Sequence, residues 1–158
     1  MISFKNFLTE SRSAPLYHAT SLNNYLQIIG GGLEPKTQHR KYTFDRPVEH
    51  DKDYTKDVMT NGISLSRDFK FAHRWAFRQP VSQKGGIIIQ LDQRKLSQRY
   101  RIRPIDFWGG TDQFKEAEEF LEFKGKINLL PYITKIYYKF DSQLPYIDML
   151  GIPLEKMK

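Results

Sequence analysis

The fold turns on residues 63–76, "ISLSRDFKFAHRWA". Ile63-Ser64-Leu65-Ser66 alternates apolar and hydroxyl side chains with the period of a half-buried strand. Asp68 then stands where a helix cap is expected. Phe69, Ala72 and Ala76 follow on one helical stripe, with Phe71 and Trp75 beside it. A strand thus gives way almost at once to an aromatic-rich helix. Its two hydroxyls share a face, which is either a solvated side or the lining of a pocket.

Working outward, "APLYHAT" (14–20) reads as a short strand and "SLNNYLQIIGGGLEP" (21–35) as a helix. Leu22, Tyr25, Leu26 and Ile29 fall at helical spacing, Ser21 is a candidate cap, and the glycines at 30–32 end the helix. "GGIIIQLD" (85–92) is apolar enough for a central strand. "YRIRPI" (100–105), part of "EAEEFLEF" (116–123) and "YITKIYYKF" (132–140) supply further strands. Several strands separated by two or three helices make an α+β fold with mainly antiparallel pairing. Residues 1–13 read as an amphipathic N-terminal helix or arm. Residues 36–60 show no sustained periodicity and read as a long functional loop.

At 158 residues the chain suits one domain, 1–158, and its 39% hydrophobic and 14% aromatic content argues for a packed core. There is no cysteine, which removes disulfides, thiolate zinc sites and cysteine nucleophiles, and fits a reducing cytoplasm. No apolar run approaches membrane-spanning length, so no membrane partner is expected. The formal charge of +7 suits a polyanionic partner. Its densest block, "QRKLSQRYRIR" (93–103), is either a solvated surface or a phosphate-facing strip. No metal is expected, because no histidine pair has ligand spacing. The glycine run follows a helix, the wrong end for an anion.

Three pieces remain: His18 in "LYHATS", the hydroxyls Ser64 and Ser66, and the acids Glu116, Glu118 and Glu119. Each alone has an ordinary structural explanation. A strand histidine is commonly a hydrogen-bonded core residue, strand hydroxyls are frequent, and "KEAEEF" would suit a solvated edge. Glu116 and Glu118 alternate onto one strand face, with Glu119 on the other.

Taken in order, "LYHATSLNNYLQIIGGGLEP", "GISLSRDFKFAHRWA", "IIIQLDQRKL" and "EAEEFLEF" resemble the ADP-ribosyltransferase superfamily over residues 15–140. The layout is similar to the branch that opens with a histidine, a small residue and Thr or Ser. The resemblance implies a split β-sandwich of two small antiparallel sheets with flanking helices, holding NAD as substrate in the cleft between them. It implies that His18 bonds a ribose hydroxyl of the adenosine side, that the Ala19 backbone holds the nicotinamide carboxamide, and that Thr20 completes this NAD-binding motif. Ser64 would face the nicotinamide, and Ser66 would lie on the same face or cap the helix. The catalytic glutamate would come from "EAEEF", with Glu118 favoured over Glu119 and Glu116 orienting the acceptor. Ala19 stands where the family often has Gly, and Ser64 where the histidine branch commonly has Tyr.

The activity so implied is NAD-dependent mono-ADP-ribosyl transfer to a macromolecule, protein or nucleic acid, with release of nicotinamide. Two alternatives keep the fold and change the acceptor: water, giving an NAD glycohydrolase, or an RNA 2′-phosphate, giving a phosphotransferase. A third is a basic nucleic-acid-binding module without catalysis. The opening "MISFKNFLTES" is similar to openings of tailed-phage proteins, which implies a phage-encoded enzyme modifying a host molecule in the host cytoplasm.

Overall fold

The computed structural model describes residues 14–31, 62–79, 82, 84–104, 118–123 and 125–158. The expected N-terminal helix (1–13), the loop 36–60 and Glu116 lie outside the described residues. The chain runs β1 (Leu16–Ser21), α1 (Leu22–Gly31), β2 (Gly62–Ser66), α2 (Phe69–Phe77), β3 (Gly86–Leu91) and α3 (Gln93–Ser97). It continues through β4 (Arg101–Pro104), β5 (Glu118–Glu122), β6 (Ile133–Tyr138), the single turn α4 (Leu144–Ile147) and β7 (Leu154–Lys156).

The helix signals act as their chemistry requires. The Ser21 hydroxyl accepts from the Asn24 amide at 3.2 Å and caps α1. Asp68 Oδ1 accepts from the Lys70 amide at 2.8 Å at the start of α2. Asp92 caps α3 through the Lys95 amide at 3.0 Å. Within α2, Ala72 and Ala76 are the buried positions. That stripe of small residues lets the helix lie close to β3, where a Cβ on Gly86 would sit only 2.0 Å from the Ala76 carbonyl oxygen. Glycine is therefore required there.

The strands are ordered β4-β5-β2-β1-β3-β6-β7. Pairing is antiparallel except that β7 adds to β6 in parallel. The ladder is uneven. β1 and β3 pair over six positions, Leu16↔Leu91 to Ser21↔Gly86. β2 and β5 pair over five. Between these two blocks β1 and β2 meet at one pair, Tyr17↔Ser66. The α+β architecture is thus one seven-stranded sheet with two mainly antiparallel halves, β4-β5-β2 and β1-β3-β6-β7, joined at the narrow β1/β2 seam.

Side chains of β3 alternate between two cores. Ile87 and Ile89 join Leu16, Leu22, Tyr25, Ile28, Leu65 and Leu121 on the α1 side. Ile88 joins Ala72, Ala76, Tyr137 and Met157 under α2. Burying each isoleucine contributes about 1.5–3 kcal/mol, so β3 anchors the larger half. The Tyr25 hydroxyl is buried there with no hydrogen-bond partner among the described residues, and burial pushes its pKa up to about 12.

Candidate active site at the split

Two of the expected site residues, His18 and Ser64, meet at the seam. After Tyr17, the edge of β1 that faces β2 has no further strand pairing among the described residues. Continuing the register would set Ala19 across from Ser64, but a side chain bridges the gap instead. His18 Nδ1 lies 3.0 Å from the backbone carbonyl oxygen of Ser64. A carbonyl only accepts, so Nδ1 carries the proton. Burial lowers the His18 pKa from its ordinary 6.5, with the Ser64 bond opposing that shift. The ring is therefore neutral at pH 7, and Nε2 presents a lone pair. A fixed tautomer with an acceptor at its far corner is suited to receiving a hydroxyl proton.

The expected residues do not all share one surface. Ser64 is half-buried, and it meets His18 through its main chain rather than its hydroxyl. Ser66 is buried, and its hydroxyl closes a local turn: it donates to the Asp68 carbonyl at 3.1 Å and accepts from the Asp68 amide at 3.0 Å. That bond pair fixes the sharp passage from β2 into α2. Ala19 is half-buried and pairs with Ile88 on the β3 side. Thr20 is 5% exposed, in the alternating row of Leu16 and His18.

The acids are placed by register. Glu118 lies opposite Ser66 and Glu119 opposite Leu65. Opposed residues of antiparallel strands share a face. Glu118 therefore occupies the row of Ser64 and Ser66, and Glu119 the row of Leu65 and Leu121. The Tyr17↔Ser66 pair puts Tyr17 in the first row, and alternation puts His18 in the second. His18 and Ser64 thus belong to different rows, and Glu118 and Glu119 are placed by backbone register alone.

Two neighbours escape the sequence pattern. Tyr17 packs its ring edge on Phe69, centroids 5.4 Å apart, and lies 6.4 Å from Tyr137. Burial raises its pKa. Its only sequence signal is adjacency to His18. Arg67 donates from Nη1 to Gln93 Oε1 at 2.8 Å, tying the β2–α2 turn to α3. No metal-holding group of three or more His, Cys, Asp or Glu occurs among the described residues.

No family model matches the chain, and no curated protein matches its sequence significantly. Solved structures do match its fold. Thermus sp. 2.9 DarT in complex with NAD+ gives a TM-score of 0.57 at 10% identity, covering 92% of this chain and 96% of that chain. The Thermus protein in complex with ADP-ribosylated ssDNA also gives 0.57 at 10% identity, over 92% of this chain and 95% of that chain. Thermosipho africanus DarTG in complex with ADP-ribose gives 0.52 at 16% identity, over 90% of this chain and 49% of that chain. The likeness establishes an ADP-ribosyltransferase-like fold.

Proposed function

We propose that the protein is an NAD-dependent mono-ADP-ribosyltransferase that moves ADP-ribose to a macromolecular acceptor and releases nicotinamide. One observation carries this reading: the bond from His18 to the Ser64 carbonyl at 3.0 Å across a strand edge that, among the described residues, is paired at Tyr17 alone. It leaves a backbone edge free for a carboxamide and an imidazole acceptor for a ribose hydroxyl. NAD presents both kinds of polar group, the carboxamide beside its scissile bond and the hydroxyls of its adenosine-side ribose. The fold shared with NAD-bound Thermus DarT supports the same reading.

In this scheme His18 Nε2 accepts from a ribose hydroxyl, the main chain at Ala19 holds the carboxamide, and Ser64 lines the nicotinamide side. Thr20 and Ser66 shape the pocket from behind, through strand packing and the α2 turn. Breaking the bond between nicotinamide nitrogen and ribose C1′ sends the electron pair to nicotinamide and leaves an oxocarbenium-like ribose. An acceptor lone pair then bonds C1′ and loses its proton. Glu118, in the serine row, accepts from the ribose 2′-hydroxyl and stabilises the developing cation where it appears. Glu116 orients the acceptor. Glu119 is the alternative acid, favoured by its place in the His18 row.

A nucleic-acid acceptor is supported by the formal charge of +7 and by the fold shared with a protein solved with ADP-ribosylated ssDNA. A phage-encoded enzyme acting in the host cytoplasm would suit this chemistry. Incubation with adenylate-labelled NAD and a mixture of single-stranded DNA, RNA and protein tests the reading. Label should move to a macromolecule, nucleic acid foremost. Label found only as free ADP-ribose would make the protein a glycohydrolase, and unchanged NAD would leave a binding module.

A further inference from the structure

The described surface exposes four large aromatic rings, Trp75, Phe77, Phe140 and Tyr146, between 37% and 43% accessible. Each lies under a cation. Arg78 sits 5.9 Å from the Trp75 ring centre and Lys84 4.0 Å from that of Tyr146. Lys139 is shared, 3.8 Å from Phe77 and 5.1 Å from Phe140. Scattered exposed rings need no explanation, but rings each matched to a cation do.

Three of these rings form one patch. Lys139 joins Phe77 to Phe140. The Phe140 ring lies against Gly85, the residue after Lys84. The buried Gln143 side chain locks this corner, donating to the Lys84 carbonyl at 3.0 Å while accepting from the Lys139 and Phe140 amides at 2.9 Å each. The patch is therefore a held surface rather than a loose cluster of side chains. Nearby carboxylates are neutralised: Asp141 by Lys156 at 2.8 Å and Glu155 by Lys135 at 3.0 Å. No carboxylate among the described residues pairs with Lys84 or Lys139.

The patch also connects with the candidate site. The Phe77 ring is 4.2 Å from that of His73, and the His73 ring is 6.0 Å from Phe69. Phe69 in turn touches Tyr17, which shares the row of Ser64 and Ser66 at the seam. A line of rings thus runs along α2 from the seam to the Lys84–Tyr146 corner.

We propose that this aromatic–lysine strip is a docking track for single-stranded nucleic acid, leading an acceptor strand to the split. The inference rests on the nucleic-acid form of the transferase reading and adds the surface. Rings with exposed faces can stack unpaired bases, and lysines on flexible stems can leave those faces to pair with phosphates. A duplex keeps its bases stacked inside and cannot use the rings. The basic block at 93–103 offers charge, but its single ring, Tyr100, packs edge-on against Tyr132 at 6.1 Å.

Anisotropy of fluorescein-labelled single-stranded oligothymidine, single-stranded oligouridine and a matched duplex tests this on the full chain without NAD. Single strands should bind more tightly than the duplex, and the two single-stranded probes decide between DNA and RNA. Phe77→Ala with Tyr146→Ala should weaken single-strand binding roughly 100-fold, about tenfold per ring. Lys84→Gln with Lys139→Gln should reduce the salt slope by about 1.4, near 0.7 per lost phosphate contact. Nicotinamide release from NAD should be unchanged in both double variants, which also reports that they fold. Unchanged affinity in the ring variant, equal binding of the duplex, or loss of a self-associated dimer instead of nucleic-acid binding would each overturn the proposal. If the wild type binds strands through the strip but never cleaves NAD, the track stands and the transferase reading falls.

Discussion

The half-sheet β1-β3-β6 and the half-sheet β2-β5-β4 use strands of similar length but are filled differently. The first is held by long ladders and by Ile87, Ile88 and Ile89, all fully buried, with a helix packed on each side. The second alternates Ile63 and Leu65 with the hydroxyls of Ser64 and Ser66, and ends in adjacent carboxylates on β5. Continuous burial makes a rigid wall, whereas alternation gives the second half a polar row. The seam between them is weakly laddered, so a side chain from the rigid half, His18, can be held by a carbonyl from the polar half. The candidate site thus lies where the described backbone pairing narrows.

That contrast can be broken most severely in the rigid half. Ile89→Ala should cost about 2–5 kcal/mol of stability by leaving a cavity in a filled core. Denaturant unfolding measures it, and a loss under 1 kcal/mol would mean that β3 is not the anchor. In the polar half the damage should appear in rate instead. Glu118→Gln should lower nicotinamide release about 10²- to 10³-fold with NAD affinity retained. The same loss in Glu119→Gln, with Glu118→Gln active, would move the catalytic row to that of His18.

The strands at 16–21, 86–91 and 133–138 were legible because apolar spacing alone specifies them. The caps at Ser21 and Asp68 were legible because a short polar residue before an apolar stripe has few other uses. β7 was not: Leu154-Glu155-Lys156 is too short to show a period, and its pairing with β6 is long-range. The candidate residues were legible as types, but their arrangement was not. The separation of His18 from Ser64 into different rows depends on the β1/β2 register, which no local pattern encodes. The turn made by Ser66 likewise depends on the path taken at Asp68.

Smaller effects sharpen the comparison at the seam. His18→Gln should weaken NAD binding about tenfold while changing stability little at pH 8, because one acceptor to a ribose hydroxyl is worth about 1–1.5 kcal/mol. The lowered His18 pKa adds a pH signature. A histidine whose folded pKa is depressed supports the fold above its unfolded value near 6.5, and that support is lost as pH falls below it. Thermal melts should therefore show a wild-type decline as pH falls below about 6.5 that is shallower in His18→Gln. Ser64→Val keeps strand propensity and removes a half-buried hydroxyl. Turnover should fall several-fold with the melting temperature nearly unchanged, and full activity would take that hydroxyl out of the site.

The central claim is that the split holds NAD against an anchored, neutral His18. Nitrogen-15 NMR of ring-labelled histidine, recorded with and without a non-cleavable NAD analogue, tests it most directly. The free protein should show His18 Nδ1 protonated and Nε2 bare. Adding the analogue should move the Nε2 resonance in the direction of an accepted hydrogen bond and leave Nδ1 in place. Saturation with the analogue while both His18 resonances stay still, or an Nδ1 that is already unprotonated in the free protein, would contradict it.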